Sequence, residues 1–427
     1  MLHGWLDRRG VTDFDPETFG ISTSEAVFVK PQQRLVLELA MEALQDAGLP
    51  PSTLLGKRVG VFVAANGQEG YDKLLLDEAD SGVHTLGAHY GHGTHNASLA
   101  GRVAHWLGSC GPAMTIETAC SGGLTAVHAA QRSLKAGDCD VALVAGVTTF
   151  VDPERQFPFR RQAGMATRLP EQQSRAFSSS ADGMVPSEGA VAVVLQAQHG
   201  GNTGARHGEP LAWIESIECE HQGASATMMT TRSDAQSRLI HHALAAAEVE
   251  PQAIDVFECH GSATQLGDLV EFGAIRRVFG GSVAKRAAPV AITASKNIFG
   301  HTEEAAGLVG LLHAIVSLRH RSSPPSHVSD PNIDFDWAGA GARYSNCRTS
   351  LGRGQNSPMH ALVSSYGFSG TMCSAVLRIG QEHPQPQPQP HQERDERLAN
   401  LLLLSAPDRT RLRLVGKACV EHLRNAP

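Results

Sequence analysis

Cys120 lies in the run Ile116-Glu117-Thr118-Ala119-Cys120-Ser121-Gly122-Gly123, where an apolar strand leads into a cysteine and then directly into a helical stretch carrying Leu124, Val127 and Leu134. A cysteine at a helix N-terminus meets free N–H groups and the positive end of the helix dipole. Both favour the thiolate, taking its pKa from about 8.5 toward roughly 3.5–7.5, and the thiolate is the nucleophile that forms a thioester. On position alone, a buried small hydrophobe is an equal reading, since that is the commonest fate of a free cysteine. Two histidines lie in compact Gly-containing segments: His260 in ECHGSAT (258–264) follows an apolar strand, and His301 in SKNIFGHTE (295–303) precedes a helix. Strand ends and helix starts are where α/β proteins keep catalytic groups. With 21 histidines in the chain, any single one is by default a surface or packed residue. Beside a reactive cysteine, however, the pair supplies two imidazoles able to donate hydrogen bonds to a developing oxyanion or enolate. His89, His92 and His95 in HYGHGTH have the side chains of a metal site. The Gly-rich setting favours a solvated loop, and no metal is assigned.

These groups need elements to hold them. Residues 31–48 space Leu35, Leu37, Leu39, Ala43 and Leu44 near helical period, with Pro31 at the start and Gly48 past the end, which predicts a helix. Segments 59–64, 141–147 and 191–195 are short β-branched runs, the mark of strands covered on both faces. Helical stretches lie between them, notably 121–136, and the second half repeats the alternation with helices over 238–247, 268–278 and 303–318 and a strand over 254–258. The fold class is layered α/β. A chain of 427 residues that is 41% hydrophobic can bury a real core. Its net charge of −7, without long like-charge blocks, excludes a nucleic-acid footprint or membrane-surface patch. The first ten residues lack a signal-peptide core and the longest apolar run, 305–318, is too short to span a bilayer, so a cytoplasmic protein is expected. Eight cysteines without a CxxC pair predict reduced thiols rather than a disulfide or zinc framework.

Cys120 in ETACSGG, His260 in ECHGSAT, His301 in KNIFGHTEEAAG and the segment SSYGFSGT at 364–371 resemble the β-ketoacyl synthase domains of modular polyketide synthases. FDPETFGIS (14–22), PQQRLVLELAMEALQDAG (31–48), NASLAGRVAHWLG (96–108) and AFSSSADGMVPSEGA (176–190) extend the match over about residues 5–380, in the family's order and spacing. The resemblance implies a thiolase-like five-layered αβαβα fold of two pseudo-equivalent halves, usually in a homodimer. It further implies that Cys120 accepts an acyl chain from a phosphopantetheine arm, while His260 and His301 support decarboxylation of a malonyl-type extender on an acyl carrier protein. The enolate then attacks the Cys120 thioester. The backbone N–H groups of Cys120 and Phe368 would form the oxyanion hole, and Lys296 with Glu303 would hold the histidine region by charge pairing. Ser262, Thr264 and Thr371 would line the pantetheine channel. No cofactor or metal is expected to reside in the chain. Other polyketide synthase domains or an acyltransferase are expected as further partners. A non-elongating transacylase or a carrier-docking scaffold is the alternative.

The implied organisation is an N-terminal half over 1–200, a C-terminal half over 201–380 joined through the Gly-rich stretch 196–210, a Pro/Gln-rich spacer over 381–397, and the start of a linker region over 398–427 with a strand at 398–404 and a helix at 407–423. Three motifs depart from the family pattern. Lys296 is followed at once by Asn297 where KxNxGH is usual, GTMCS at 370–374 stands for GTNAH, and HGSAT for HGTGT or HGTAT. These changes could reshape the acyl and pantetheine channels without removing the triad. The family's first strand, an IAIVG-like segment, has no counterpart, so a missing central strand that leaves its neighbours' N–H and C=O groups unpaired is expected in the first sheet.

Overall fold

The computed structural model describes residues 6, 13–67, 70–82, 86–151, 164–167, 173–197, 210–281, 288–352, 357–380 and 409–425. They fall into two compact units, Met1–Gly380 and Gln381–Pro427. The second unit contributes one described helix, Arg409–Asn425, while the expected spacer at 381–397 and strand at 398–404 lie outside the described residues. Among the described residues no helix is long and apolar enough to cross a membrane.

In the first unit, β1 (Val59–Ala64), β2 (Ala113–Ile116), β3 (Val141–Thr148) and β4 (Gly189–Gln196) form a sheet ordered β2-β1-β3-β4. A second sheet is ordered β5-β12-β11-β6-β7-β9, from β5 (Trp213–His221), β6 (Ile254–Glu258), β7 (Val290–Thr293), β9 (Ala342–Tyr344), β11 (Met359–Tyr366) and β12 (Thr371–Ile379). The short β8 (Ser322–Ser323) and β10 (Thr349–Ser350) pair with each other. The helices include α1 (Pro31–Asp46), α2 (His89–Thr94), α3 (Ala97–Leu107), α4 (Gly122–Ala136), α5 (Ser233–Ala246), α6 (Gln265–Phe279) and α7 (Ala306–Arg319), and further helices run over Thr23–Ala26, Tyr71–Asp80 and Lys296–Phe299.

The apolar strands are covered on both faces, and alternation decides which residue goes where. Val59, Val61 and Val63 of β1 pack with α1 and α3, whereas Phe62 and Ala64 pack with α4 and α7. On the second sheet, α5 and α6 cover one face with Ile240, Leu244, Ile275 and Phe279, and Val363 and Ala375 meet α7 from the other. The layers therefore run helices, sheet, helices, sheet, helices, which is the expected five-layered αβαβα arrangement.

The two sheets repeat one pattern. β1 is parallel to β2 and β3, and β3 is antiparallel to β4; likewise β6 is parallel to β7 and β11, and β11 is antiparallel to β12. β12 then pairs with β5, but no strand among the described residues stands in the matching place beside β4. That place is at the edge of the described sheet, beside one strand, rather than at its centre as expected, and β4 is half-buried along most of its length where β12 is largely buried.

Two sequence-based expectations are corrected here. Cys219 and Cys373 form a disulfide, because antiparallel pairing of β5 and β12 sets them directly opposite each other. Register, which no local spacing reveals, makes that pair. The stretch containing His89 and His92 is the helix α2 rather than a loop.

In the middle layer, α4 and α7 cross where their backbones nearly touch. A Cβ added at Gly307 would stand 2.9 Å from both the backbone N and Cγ of Leu124, and one at Gly123 would stand 3.1 Å from the N and 3.2 Å from Cγ of Leu308. Each helix thus lays a Gly-Leu pair on the other's Gly-Leu pair. A buried ion pair ties α7 to the second sheet: His313 Nδ1 lies 2.8 Å from Glu258 Oε2, which also accepts from Thr293 Oγ1 at 2.6 Å, while Oε1 accepts from the Ser295 N–H at 2.7 Å.

Glycine at an exposed helix interior costs about 0.5–1 kcal/mol relative to alanine. Gly101→Ala, where a Cβ meets nothing within 4 Å, is therefore expected to stabilise the protein. Gly307→Ala reverses the sign, losing about 1–3 kcal/mol to overpacking, and denaturant midpoints of the two variants check the pair.

Burial works against a charge on His313, but the Glu258 carboxylate outweighs it and raises the His313 pKa. The protonated pair's stability is fully present below the ordinary imidazole pKa of about 6.5 and is lost as pH rises through the raised value. Asp268 and Glu271, whose pKa values burial also raises, lose stability over an overlapping range. The comparison must therefore be differential: His313→Gln is expected to show a shallower fall in stability above neutral pH than the parent, and equal slopes would remove His313 from the account.

Candidate functional site

The carboxyl ends of β2, β6, β7 and β11 converge from both sheets, which is where open α/β sheets place their ligands. From β2 the chain enters a tight turn with Ala119 at φ +52° and then α4, placing Cys120 at the elbow, 9% exposed. The turn is clamped from the end of β11. Ser365 Oγ donates to the Cys120 carbonyl at 2.6 Å, and Gly367 lies so close that a Cβ would stand 2.4 Å from the Thr118 carbonyl oxygen. Ser121 Oγ closes the same turn onto that carbonyl at 2.8 Å. Phe368 is at the tip of this Gly367–Gly370 turn, half exposed.

His260 follows β6. The backbone of its loop is held by two carboxylates from α6: Glu271 accepts from the N–H groups of His260 and Gly261 at 2.7 and 2.8 Å, and Asp268 from those of Ala263 and Phe177 at 3.1 and 2.6 Å. The imidazole Nδ1 accepts from the Tyr366 N–H at 3.3 Å. His301 is fully buried and is pinned by strand-like pairing to 185–187: its N–H donates to the Val185 carbonyl at 2.7 Å and its carbonyl accepts from Ser187 at 3.0 Å. Gly300, at φ +76°, is required there, since a Cβ would stand 2.9 Å from the Val185 carbonyl oxygen. His301 Nδ1 accepts from the Glu303 N–H at 2.9 Å. The two imidazoles lie 5.8 Å apart, nearly perpendicular at 80°. In both rings a backbone N–H occupies Nδ1, which puts the ring proton on Nε2.

The electrostatics differ from the expectation of a thiolate. Burial pushes the Cys120 thiol up to about 12, with Glu303 and Glu304 adding to the rise and Lys296 and the backbone at the elbow opposing it. The helix N-terminus is present, but desolvation and two neighbouring carboxylates outweigh it, so the resting group is the thiol. Burial, then Lys296 and His301, hold the His260 pKa well below the imidazole norm. Burial lowers the Lys296 pKa, with the Glu258 and Glu271 carboxylates opposing the fall, and the side chain donates to the His260 carbonyl. Beside the expected Lys296–Glu303 pairing, β6 and α6 bring Glu258 and Glu271 to bear on the lysine, and the Glu303 N–H donates to His301 Nδ1.

The remaining expected residues are placed as follows. Thr264 spends its hydroxyl as the N-cap of α6, accepting from Gly267 N–H at 3.2 Å, and Ser262 Oγ lies 2.8 Å from it. Thr371 opens β12 and its carbonyl accepts from Gly367 N–H at 2.7 Å. Asn297 accepts from the Ala176 N–H at 2.7 Å and donates to Tyr344 OH at 2.8 Å, a tether rather than a ligand. Asp268, Glu271, Glu304 and Ser365 were not anticipated. Asp268 and Glu271 had a signal: with Ile275 and Val278 they occupy one buried stripe of α6 at helical spacing, where an acid is costly unless it is hydrogen-bonded. Glu304 Oε2 accepts from Asn66 Nδ2 at 2.8 Å and Thr148 Oγ1 at 3.1 Å, linking the helix start after His301 to the first sheet.

The beta-ketoacyl synthase N-terminal domain model matches residues 2–199, and the C-terminal domain model matches 211–329. The chain is 36% identical over 428 residues to erythronolide synthase EryA2 of Saccharopolyspora erythraea, covering 99% of this chain and 11% of that protein. It is 39% identical over 386 residues to EryA3 of the same organism, covering 89% of this chain and 12% of that one. It thus spans about a tenth of the length of these relatives. Among solved structures, the oxazolomycin ketosynthase domain OzmH KS7 of Streptomyces albus superposes with a TM-score of 0.83 at 29% identity, covering 99% of this chain and 70% of that one. The ketosynthase from module 6 of the bacillaene synthase of Bacillus subtilis gives 0.80 at 27% identity, covering 97% and 68%. With Cys120 at the elbow between β2 and α4, a buried His301 and a part-buried His260 beside it, and a five-layered thiolase-like fold, the chain belongs to the β-ketoacyl synthase family.

Proposed function

We propose that this chain catalyses acyl transfer to Cys120 followed by decarboxylative Claisen condensation with a malonyl-type extender carried on an acyl carrier protein, as a step of polyketide assembly. The observation that carries this reading is the pair of imidazoles, whose Nδ1 atoms both accept backbone N–H groups and whose Nε2–H groups are therefore donors. In the first step the Cys120 sulfur attacks the acyl thioester of a phosphopantetheine arm, an S–C bond forms, and the pantetheine sulfur leaves with the thiol proton. The Cys120 N–H and the Phe368 N–H receive the oxyanion. In the second step the malonyl C–C bond breaks, carbon dioxide departs, and the bond's electron pair delocalises onto the extender's thioester oxygen, where the His260 and His301 Nε2–H groups stabilise it. The carbanion then forms a C–C bond to the Cys120 acyl carbon and the C–S bond breaks, releasing Cys120 as a thiolate that takes up a proton from solvent to restore the thiol. Loss of carbon dioxide generates the carbanion without abstraction of a C–H proton, so neutral imidazoles held as donors suffice, and the low pKa of His260 keeps that ring neutral.

Lys296 and Glu271 act as positioning residues that fix the His260 backbone from either side. Ser262, Thr264 and Thr371 bound the approach to the site on the channel side. The partners under this reading are the carrier protein, a second copy of the chain in a homodimer, and further polyketide synthase domains or an acyltransferase. The organisation into a Cys120-bearing half over 1–200, a histidine-bearing half over 201–380, a spacer over 381–397 and a linker start over 398–427 belongs to the same reading.

Intact-mass measurement after incubation with acyl- and malonyl-loaded carrier protein tests the proposal. Cys120→Ala is expected to abolish acyl loading, and an undiminished mass gain would mean that another thiol is the nucleophile. His260→Ala and His301→Ala are each expected to keep loading while condensation falls at least roughly a hundredfold. Loading without any product in the parent chain would favour a non-elongating transacylase.

A further inference from the structure

Away from the strand-end site, Glu25, His89 and His92 gather on the outer face of the first unit, with their donor atoms all within 4.8 Å of one another. The two histidines are one turn apart on α2, their rings 5.3 Å apart and nearly perpendicular at 87°. Glu25 lies in the helical turn Thr23–Ala26, whose N-cap Ser22 Oγ accepts from the Glu25 N–H at 3.2 Å.

The two segments are locked together by contacts that leave ligand atoms available. Gly93 abuts Phe28 so closely that a Cβ would stand 2.3 Å from the Phe28 carbonyl oxygen. The Gly93 carbonyl accepts from the Lys30 N–H at 3.1 Å and from Gln33 Nε2 at 2.9 Å. Gln33 Oε1 accepts from Arg102 Nε at 2.8 Å, and Arg102 Nη1 donates to Glu25 Oε1 at 2.7 Å. One network thus ties the Glu25 carboxylate to the backbone of α2, and it engages Oε1 of Glu25. His92 Nε2 reaches the same oxygen at 3.2 Å. Independently, His89 Nδ1 is buried and has no hydrogen-bond partner among the described residues, although a buried ring nitrogen is ordinarily satisfied.

We propose that Glu25, His89 and His92 form a zinc site. Two imidazoles and a carboxylate are a donor set suited to Zn2+, with water completing a tetrahedron. Bonds of about 2.0–2.2 Å place ligand atoms about 3.3 Å apart, so the present separations must contract, and rotation of the exposed His92 with a shift of Glu25 toward Oε2 ligation does this. Arg102 remains on Oε1 and orients the carboxylate, as partners behind metal ligands commonly do. Its positive charge opposes the incoming dication, which makes the site weaker than a closed structural zinc centre. A bound ion would staple the segment ahead of α1 to α2 and stabilise the native state by mass action.

The test is calorimetric titration of the full, chelator-treated chain with Zn2+, together with Co2+ absorption spectra and thermal melting. One equivalent of Zn2+ is expected to bind and raise the melting temperature. His92→Gln, at an exposed position where folding is preserved, and Glu25→Gln are each expected to weaken binding at least about tenfold and to lose the thermal shift. The Co2+ spectrum is expected to lack thiolate charge-transfer bands, separating this site from the exposed Cys110 and Cys347. Unchanged affinity in both variants, thiolate bands, or no saturable binding by the parent chain would each overturn the assignment.

Discussion

The crossing of α4 and α7 through reciprocal Gly-Leu contacts is the constraint on which the other features depend. α4 begins one residue after Ser121, and α7 begins after the turn that follows His301. The distance between the two helices therefore fixes how the Cys120 elbow stands relative to the second imidazole. Only glycine lets the Leu124 and Leu308 backbones approach the opposite helix this closely. The same crossing seals the central layer, where Phe62, Val144, Val363 and Leu377 from opposite sheets share a core with Leu124 and Leu308. A bulkier residue at either glycine would separate the sheets and the reacting groups together, because close-packed interiors transmit such displacements.

Closeness of the halves also explains why the site is built from buried charges. Water is excluded, so each acid must be met by protein donors. Asp268 and Glu271 take backbone N–H groups from the His260 loop, yet burial still raises their pKa values to about 8 and about 7. Glu258 moves the other way, down to about 2, because His313, Thr293 and Ser295 together outweigh burial. Two carboxylates on the same helix and one on the adjoining strand thereby frame Lys296, which reaches the His260 carbonyl. The loop bearing His260 is held through its backbone on one side by acids and on the other by Lys296, and the ring carries its proton on Nε2. Preorganisation of this kind needs no movement when charge develops on a substrate oxygen.

Much of this was legible from local sequence. Strands covered on both faces show as unbroken apolar runs, and 59–64 and 141–148 form as such strands. Cys120, His260 and His301 stand at strand ends and helix starts that the motif spacing marks. Tertiary register was not legible: the Cys219–Cys373 bond depends on how β5 lies on β12, 154 residues apart in sequence. Nor was the direction of the Cys120 shift, since a helix N-terminus is a local feature while burial and the Glu303 and Glu304 charges arise from the packing of the other half. HYGHGTH reads as a loop because two glycines in seven residues disfavour a helix; Gln33 and Phe28 supply the contacts that make it one.

The repeat of the two sheets shows why the chemistry is unequal between halves that share one pattern. Ala64 pairs with Ile116 at the ends of β1 and β2, and Glu258 pairs with Thr293 at the ends of β6 and β7, so these are matching rungs. Two residues beyond Ala64 is Asn66, and two beyond Glu258 is His260; four beyond Ile116 is Cys120, and four beyond Thr293 is Asn297. At matching places the first half puts an amide that donates to Glu304 and the Cys120 thiol, while the second puts an imidazole and an amide that ties down the backbone at Ala176. Neither half contains a complete set of reacting groups. The first half holds Cys120 and the second holds His260 and His301, while the Asn66 and Asn297 places go to hydrogen bonds that secure Glu304 and the Ala176 backbone, so the candidate site exists only where the halves meet, and the Gly-Leu crossing is what makes them meet.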